Sequence, residues 1–504
     1  MISHTYSVAF SGIHVLKIGI EVQITNGLPA FTIVGLGDKA VAESRERVRS
    51  ALHSLGLSLP ASHITVNLAP ADVVKEGTHY DLPIAIALMG AMGLIPTSSI
   101  ESLMMMGELG LDGSIRSVAG ILPASIAANE HGLGFVCPAE QGAEALWSGT
   151  PVILAPRTLL ELMNHLKGRQ LLSRPTPQSE TLDTPMADLQ DIKGQASAKR
   201  ALEIAAVGGH NLLMIGPPGS GKSMLASRLP SIMPPLSHRE ILEVSQIHSV
   251  AGLLKEGRLI SQRPFRAPHH SASTPAMVGG GLKARPGEIS LAHRGILFLD
   301  ELPEFNRTTL ESLRQPMETG EVSVARANMH VTYPARFQLV AAMNPCKCGY
   351  LGVPGHSCSR APRCAEEYQS KISGPLLDRI DLQIEVPLVP PWDLAHQREG
   401  ESSATVRARV EKAQAFGEER RREFNLLANA HADGSALEKI APMTVEARDF
   451  LVKAAQKLIL SGRGYHRMIR IARTIADMEQ TEVIQPTHMA EALSYRRIFS
   501  FKKD

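Results

Sequence analysis

Residues 216–223 read Gly216-Pro217-Pro218-Gly219-Ser220-Gly221-Lys222-Ser223. Glycines at this spacing let the backbone curl so that successive N–H groups face an anionic oxygen. The lysine cancels charge on terminal phosphates, and the serine hydroxyl ligates a divalent cation. The apolar run Leu212–Ile215 before the loop and the helix-forming stretch MLASRL after it complete the strand, loop and helix that such a site requires. A phosphate loop also needs an acid on a neighbouring strand. Gly295-Ile-Leu-Phe-Leu-Asp300-Glu301 supplies two: Asp300 to position Mg²⁺ through water, and Glu301 to polarise the attacking water. A third apolar run, Phe337–Met343, ends at Asn344, whose amide could reach the γ-phosphate or the lytic water, although Asn before Pro345 is equally a turn former. ATP and Mg²⁺ are therefore the expected ligands.

A second constellation is Cys346-x-Cys348-x9-Cys358-x5-Cys364, which gathers four of the five cysteines into 19 residues. Four thiolates at close spacing suit a closed, structural Zn²⁺ site that would tie down a long loop, the other reading being free thiols or a redox pair; no open ligand position or general base suggests catalysis. Cys137 stands alone in an apolar stretch and is expected in the core. Cations follow downstream. Arg379, between Asp378 and Asp381, is either a surface ion pair or a cation offered to a neighbouring subunit's γ-phosphate. Arg463, Arg467, Arg470 and Arg473 recur at helical spacing, as a solvated basic face or as a lid contacting phosphates.

The elements that must position these groups fall into blocks. The chain has 504 residues, 44% hydrophobic and 20% charged, which suggests about three domains and excludes wholesale disorder. Its formal charge is 52 − 50 = +2, so a nucleic-acid partner would need a local basic patch. The most apolar stretch, Leu82–Pro96, is too short and broken to span a bilayer, and no signal peptide is visible; a soluble, cytoplasmic protein without membrane contact is expected. Residues 169–187 read as a linker. Ahead of it, β-branched runs mix with the amphipathic stretch Val41–Leu55, giving α/β or α+β character. Beyond it, strand and helix signals alternate, as in an α/β fold with a parallel sheet, until about residue 390. The tail is helical: Thr405–Glu423, Thr444–Leu460, Tyr465–Glu479 and Pro486–Ser500, with Thr444 and Thr487 near caps.

With these motifs in order, the chain resembles AAA+ ATPases of the magnesium-chelatase and MCM branch, and within it the ComM/YifB family of bacterial Mg-chelatase-like proteins. The further carrying residues are Asp188–Gln195, Arg263–His270, Val278–Gly281, Arg285–His293, Ser373–Asp381, Arg463–Arg467 and Ala472–Thr474. The resemblance implies a P-loop parallel-sheet core with a C-terminal helical lid. It also implies a homo-hexamer that hydrolyses ATP to translocate on single-stranded or branched DNA, promoting branch migration in homologous recombination during natural transformation, with recombination proteins among its partners. It makes Asn344 the first sensor and Arg379 a finger acting in trans, and leaves the second sensor to Arg463 or Arg470 according to register. A β-hairpin at Gln315–Pro334 bearing Arg326, and a second hairpin inserted within Ser249–Arg285 bearing Lys255, Arg258, Arg263 and Arg266, would line a DNA pore.

Residues 1–165 resemble the Lon proteolytic domain, an S5-like α+β fold, through Val74–Leu82, Gly107–Gly113 and Ala119–Ala128. The family's serine falls at His79 and its lysine at Ser125, so proteolysis is not expected. The implied division is 1–168, linker 169–187, nucleotide-binding core 188–395 and lid 396–504. Two other activities share these motifs: a chelatase-type motor that remodels a partner protein without DNA, and an ATP-dependent protease, which the missing dyad disfavours.

Overall fold

The computed structural model describes residues 2–177, 186–281, 284–326, 329–349, 351, 358, 360–390, 392 and 400–496. The N-terminal unit contains β1 (Ile2–Ser11), β2 (His14–Thr25), β3 (Ala30–Val34), β4 (His63–Ala69), β5 (Leu103–Met105), β6 (Glu108–Leu109), β7 (Ile115–Arg116), β8 (Gly134–Val136) and β9 (Ile153–Leu154). Seven of these form a mixed sheet in the order β3-β4-β2-β1-β5-β8-β9. The helix Lys39–Ser54 buries Val41, Val48 and Leu52, the stripe its spacing predicts, and Asp38 caps it by accepting from Val41 N at 2.8 Å. The apolar Leu82 stretch becomes the helix Asp81–Ala91, buried at every position. Part of the expected linker packs on this unit, with the Pro175 ring against Gly142; residues 178–185 lie outside the described residues.

The second unit contains β10 (Leu212–Ile215), β11 (Phe265–Arg266), β12 (Gly279–Gly280), β13 (Arg285–Pro286), β14 (Ile296–Leu299), β15 (Glu321–Arg326), β16 (Met329–Pro334), β17 (Gln338–Met343) and β18 (Leu382–Glu385). A five-stranded sheet runs β11-β14-β17-β10-β18, parallel throughout. Leu212, Met214, Phe298 and Val340 face one apolar core, while Leu213, Ile215, Leu299 and Ala341 face another. Burial on both faces is why these strands read as unbroken apolar runs.

The lid helices are Ser403–Arg422, Gly434–Ile440, Val445–Lys457, Gly462–Met478 and Pro486–Ser494. Thr444 caps the third, accepting from Ala447 N at 3.2 Å. Gln485, rather than Thr487, occupies the N-cap of the last, where proline starts the helix and Thr487 falls in its first turn. The helix Gly434–Ile440 was not anticipated; it is short and begins with glycine.

The two units are packed together. Gly120 N donates to Ser249 O at 3.0 Å, Ser249 Oγ to the buried Glu144 carboxylate at 2.6 Å, and Trp147 Nε1 to Gly257 O at 3.1 Å. The β1–β2 turn meets the β15–β16 hairpin at Gly12, where a Cβ would lie 2.6 Å from Thr332 O and φ is +70°, so glycine is required there. No helix among the described residues is long and apolar enough to cross a membrane.

Candidate nucleotide site

β10 delivers its chain directly into the phosphate loop, and Gly221 (φ +87°) opens the helix Lys222–Ile232. Gly219 also sits in the left-handed region at φ +75°, which L side chains rarely adopt. The buried Lys222 ammonium donates to Gly216 O at 2.8 Å, Pro217 O at 2.9 Å and Asn344 Oδ1 at 3.3 Å. Burial lowers its pKa, with the Asp300 and Glu301 charges acting in the opposite direction. Its donors rest on loop carbonyls that phosphate oxygens would replace. Pro218 and Ser220 complete the loop, and Gly216 is held by its N–H to Met343 O at 3.2 Å.

Ser223 Oγ donates to Asp300 Oδ2 at 2.7 Å. A hydroxyl and a carboxylate meeting beside the phosphate loop are the hard oxygen donors that Mg²⁺ takes in such sites, so the donor set fits the ion. Glu301 follows with φ +51°, an uncommon conformation for a non-glycine residue, and its carboxylate lies 3.4 Å from His270 Nδ1. Asn344 leaves the end of β17, the strand between β10 and β14. The sheet thus brings Lys222, Ser223, Asp300, Glu301 and Asn344 to one edge. His270 was not singled out from the sequence, although it closes the Arg263–His270 motif.

Arg379 lies at the other edge. Leu212 pairs with Leu382 and Ile215 with Glu385 in parallel register, so β10 and β18 start together; Asn211 Nδ2 donates to Arg379 O at 2.9 Å. The phosphate loop follows the end of β10, whereas Arg379 precedes the start of β18, with about 10 Å of strand between. The Arg379 guanidinium donates to Pro375 O and to Glu318. Arg463, exposed on the lid, lies 3.6 Å from the same Glu318 carboxylate. No local pattern marks Glu318, because its partners are distant in the chain.

Arg467 donates to Asp378 O and lies 3.9 Å from Asp381, and Arg470 Nη1 donates to Ala430 O at 3.0 Å. Arg473 is buried against Asp477 at 3.0 Å. Burial works against the Asp381 carboxylate, but the His210 hydrogen bond and the His210, Arg470 and Arg467 charges outweigh it and hold the pKa down. Arg467, Arg470 and Arg473 therefore knit the lid to itself and to the sheet's starting edge. Their described hydrogen bonds and ion pairs run to Asp378, Asp381, Ala430, Asp477 and the carbonyls of Thr481 and Glu482.

The expected DNA-contacting cations divide. The Gln315–Pro334 hairpin forms as β15 and β16, with Arg326 the last residue of β15, opposite Met329; its side chain lies outside the described residues. Of the second expected hairpin, the described residues show a short antiparallel pairing of β12 with β13 near its end, while its start continues the helix His238–Ala251, fixed by a Ser237–Glu240 capping box. Arg263 turns inward, donating to Pro234 O at 2.7 Å and Arg294 O at 2.8 Å. Arg266 makes a two-pronged pair with Glu288 at 2.6 and 2.7 Å. Arg258 pairs with Glu256 at 3.1 Å, while Lys255 is exposed beside the turn that docks on Trp147. This segment joins the two units, and Arg263 and Arg266 have their charges committed within the chain.

At the two positions where the Lon resemblance would put a serine and a lysine, His79 Nε2 lies 2.9 Å from Val8 O and the buried Ser125 Oγ donates to Leu122 O at 2.9 Å. The Sγ atoms of Cys346, Cys348, Cys358 and Cys364 all lie within 4.8 Å of one another, a grouping able to hold a metal ion. Cys137 is fully buried in the N-terminal unit.

Comparison with known proteins follows this division. Residues 188–394 match the family "Magnesium chelatase, subunit ChlI", residues 20–141 "Subunit ChlI of Mg-chelatase", and residues 400–496 "Magnesium chelatase, subunit ChlI C-terminal". The YifB protein of Salmonella typhimurium is 46% identical over 97% of this chain and 95% of its own length. The competence protein ComM of Haemophilus influenzae is 44% identical over 97% of this chain and 96% of its own. The magnesium-chelatase 38 kDa subunit of Rhodobacter capsulatus is 29% identical over 32% of this chain and 51% of its own length. Full-length likeness to YifB and ComM, on an α/β core of AAA+ type, means that the chain belongs to the ComM/YifB family of magnesium-chelatase-like proteins.

Proposed function

We propose that this protein is an ATPase that works as a homo-hexameric ring, moving single-stranded or branched DNA through its centre to drive branch migration in recombination during natural transformation. The observation that carries this reading is the separation of Arg379 from the phosphate loop across the sheet. A chain that keeps its cation on the opposite edge completes a γ-phosphate site only against a second copy, and repetition of that head-to-tail contact closes a ring. Its likeness to a protein named for competence supports DNA as the substrate.

In this reading Lys222 and the loop N–H groups bind the β- and γ-phosphates, while Ser223 and Asp300 hold Mg²⁺, which would offset charge on the transferred phosphoryl group. Glu301 accepts a proton from the attacking water, Asn344 orients that water, and Arg379 from the neighbouring subunit stabilises the charge developing on the γ-phosphate. Arg463, sharing Glu318 with Arg379, belongs to the same intersubunit face. The β15–β16 hairpin, with Arg326 beside its turn, and the exposed Lys255 are the candidate DNA contacts; six copies would build a strong local field despite a net charge of +2. The four cysteines hold a structural Zn²⁺. The N-terminal unit serves assembly or DNA placement, without proteolysis.

A four-way junction with fluorescent arms tests this function. ATP should separate the arms in the presence of the protein, and a non-hydrolysable analogue should not. Vigorous ATP turnover with no arm separation on any branched substrate would instead favour a motor that remodels a protein partner.

A further inference from the structure

The cysteine cluster adjoins the nucleotide site. Cys346 lies two residues beyond Asn344, and Gly349 N donates to Cys346 O at 2.9 Å to close a tight turn. That turn rests on the phosphate loop: a Cβ on Gly349 would lie 2.7 Å from Pro218 Cδ and 2.9 Å from its Cγ, and φ is +83°. At the cluster's far end, Cys364 lies in the helix Arg363–Gln369, whose last residue donates through Nε2 to Pro345 O at 2.7 Å. Both sides of Asn344-Pro345-Cys346 are therefore held by chain that the thiols gather.

Among the described residues of this stretch, the local apolar cluster is Cys346, Cys364 and Ala365, with Leu351 and Cys358 against it, a small core for an excursion 19 residues long. A tetrahedral Zn²⁺ at about 2.3 Å from each sulfur sets its ligands about 3.8 Å apart. Mutual Sγ separations within 4.8 Å, with Cys346 and Cys348 at 3.1 Å, fit one ion better than an iron–sulfur cluster, which spreads its thiolates around several metals.

Building on the zinc reading above, we infer that the four-cysteine site is a metal-dependent clasp on the ATP site. Metal at Cys346, Cys348, Cys358 and Cys364 seats the Gly349 turn on Pro218 and fixes Asn344 beside Lys222. Metal occupancy thereby sets nucleotide affinity and turnover from outside the phosphate site.

The test strips the purified full-length protein with a chelator, desalts it, restores Mg²⁺, and measures metal content, binding of a fluorescent ATP analogue and ATP turnover, before and after Zn²⁺ is returned. One Zn²⁺ per chain is expected, with stripping weakening nucleotide binding and turnover about tenfold and Zn²⁺ restoring both. Cys358→Ser, far in sequence from the phosphate loop, should match the stripped protein. Gly349→Ala should keep its Zn²⁺ and still bind nucleotide more weakly, because its Cβ pushes the turn off Pro218; this variant leaves all four thiols intact. Iron, or no metal, in the untreated protein would overturn the zinc reading itself. Full Zn²⁺ occupancy with nucleotide binding unchanged by stripping, or by Gly349→Ala, would overturn the clasp while leaving the zinc site standing.

Discussion

Replacing Arg379 with alanine separates folding from catalysis. Within its own chain the largely buried guanidinium bonds Pro375 O and a half-exposed Glu318 carboxylate, so losing it should cost about 1–3 kcal/mol of stability. At a neighbour's γ-phosphate the same group would face charge that develops in the transition state, where arginines of this kind are worth about 10³–10⁵ in turnover, or roughly 4–7 kcal/mol. Arg379→Ala should therefore fold, melt within a few degrees of the parent, bind ATP normally and lose at least about 10³ in turnover. Mixing decides between cis and trans action. Lys222→Ala lacks the phosphate lysine but keeps its arginine. In rings assembled at random from equal parts of the two variants, about a quarter of the junctions pair an intact lysine with an intact arginine. The mixture should regain up to about a quarter of parental turnover, although each variant alone is inactive. The assay is steady-state phosphate release at fixed total protein, after mixing and reassembly with nucleotide. Parental turnover by Arg379→Ala alone, or a mixture as inactive as its components, would refute the intersubunit site.

Glu301→Gln should bind ATP with near-parental affinity, measured by a fluorescent analogue, while turnover falls about 10²–10⁴-fold; equal hydrolysis would remove Glu301 as the base. Burial pushes His248 and His293 down to about 4, below the ordinary 6.5, so between these values the unfolded chain takes up protons that the folded one refuses. Stability should fall as pH drops from 7 towards 4, by up to roughly 3 kcal/mol for each histidine, lowering the melting temperature with it, and His248→Gln should flatten that slope. An unchanged slope in this variant would remove His248 from the acid response. Gly12→Ala, forced into a left-handed conformation against Thr332 O, should cost about 1–3 kcal/mol and expose the β15–β16 hairpin to hydrogen exchange; unaltered protection would place that hairpin's support elsewhere.

Much of the nucleotide site was legible because its parts are local. The loop from Gly216 to Ser223 and the Asp300–Glu301 pair declare their chemistry within a few residues, and apolar runs marked β10, β14 and β17 because both sheet faces are buried. Helical spacing located four lid helices to within a few residues where they are described. What stayed hidden depends on partners distant in the chain. Arg263 resembles a free cation until carbonyls of Pro234 and Arg294 surround it, and Arg266 until Glu288 takes both prongs. The docking of Ser249 on Glu144 joins residues 105 positions apart, beyond the reach of any periodicity. Glu318 gains its place from Arg379 and Arg463, 61 and 145 residues downstream.

The most direct test is the rate of ATP hydrolysis by the purified protein with and without single-stranded DNA, across a range of salt. The account predicts turnover several-fold faster with DNA, a response that fades as salt screens the phosphate contacts. A rate indifferent to DNA at every salt concentration would contradict it, leaving an ATPase whose motion serves some other substrate.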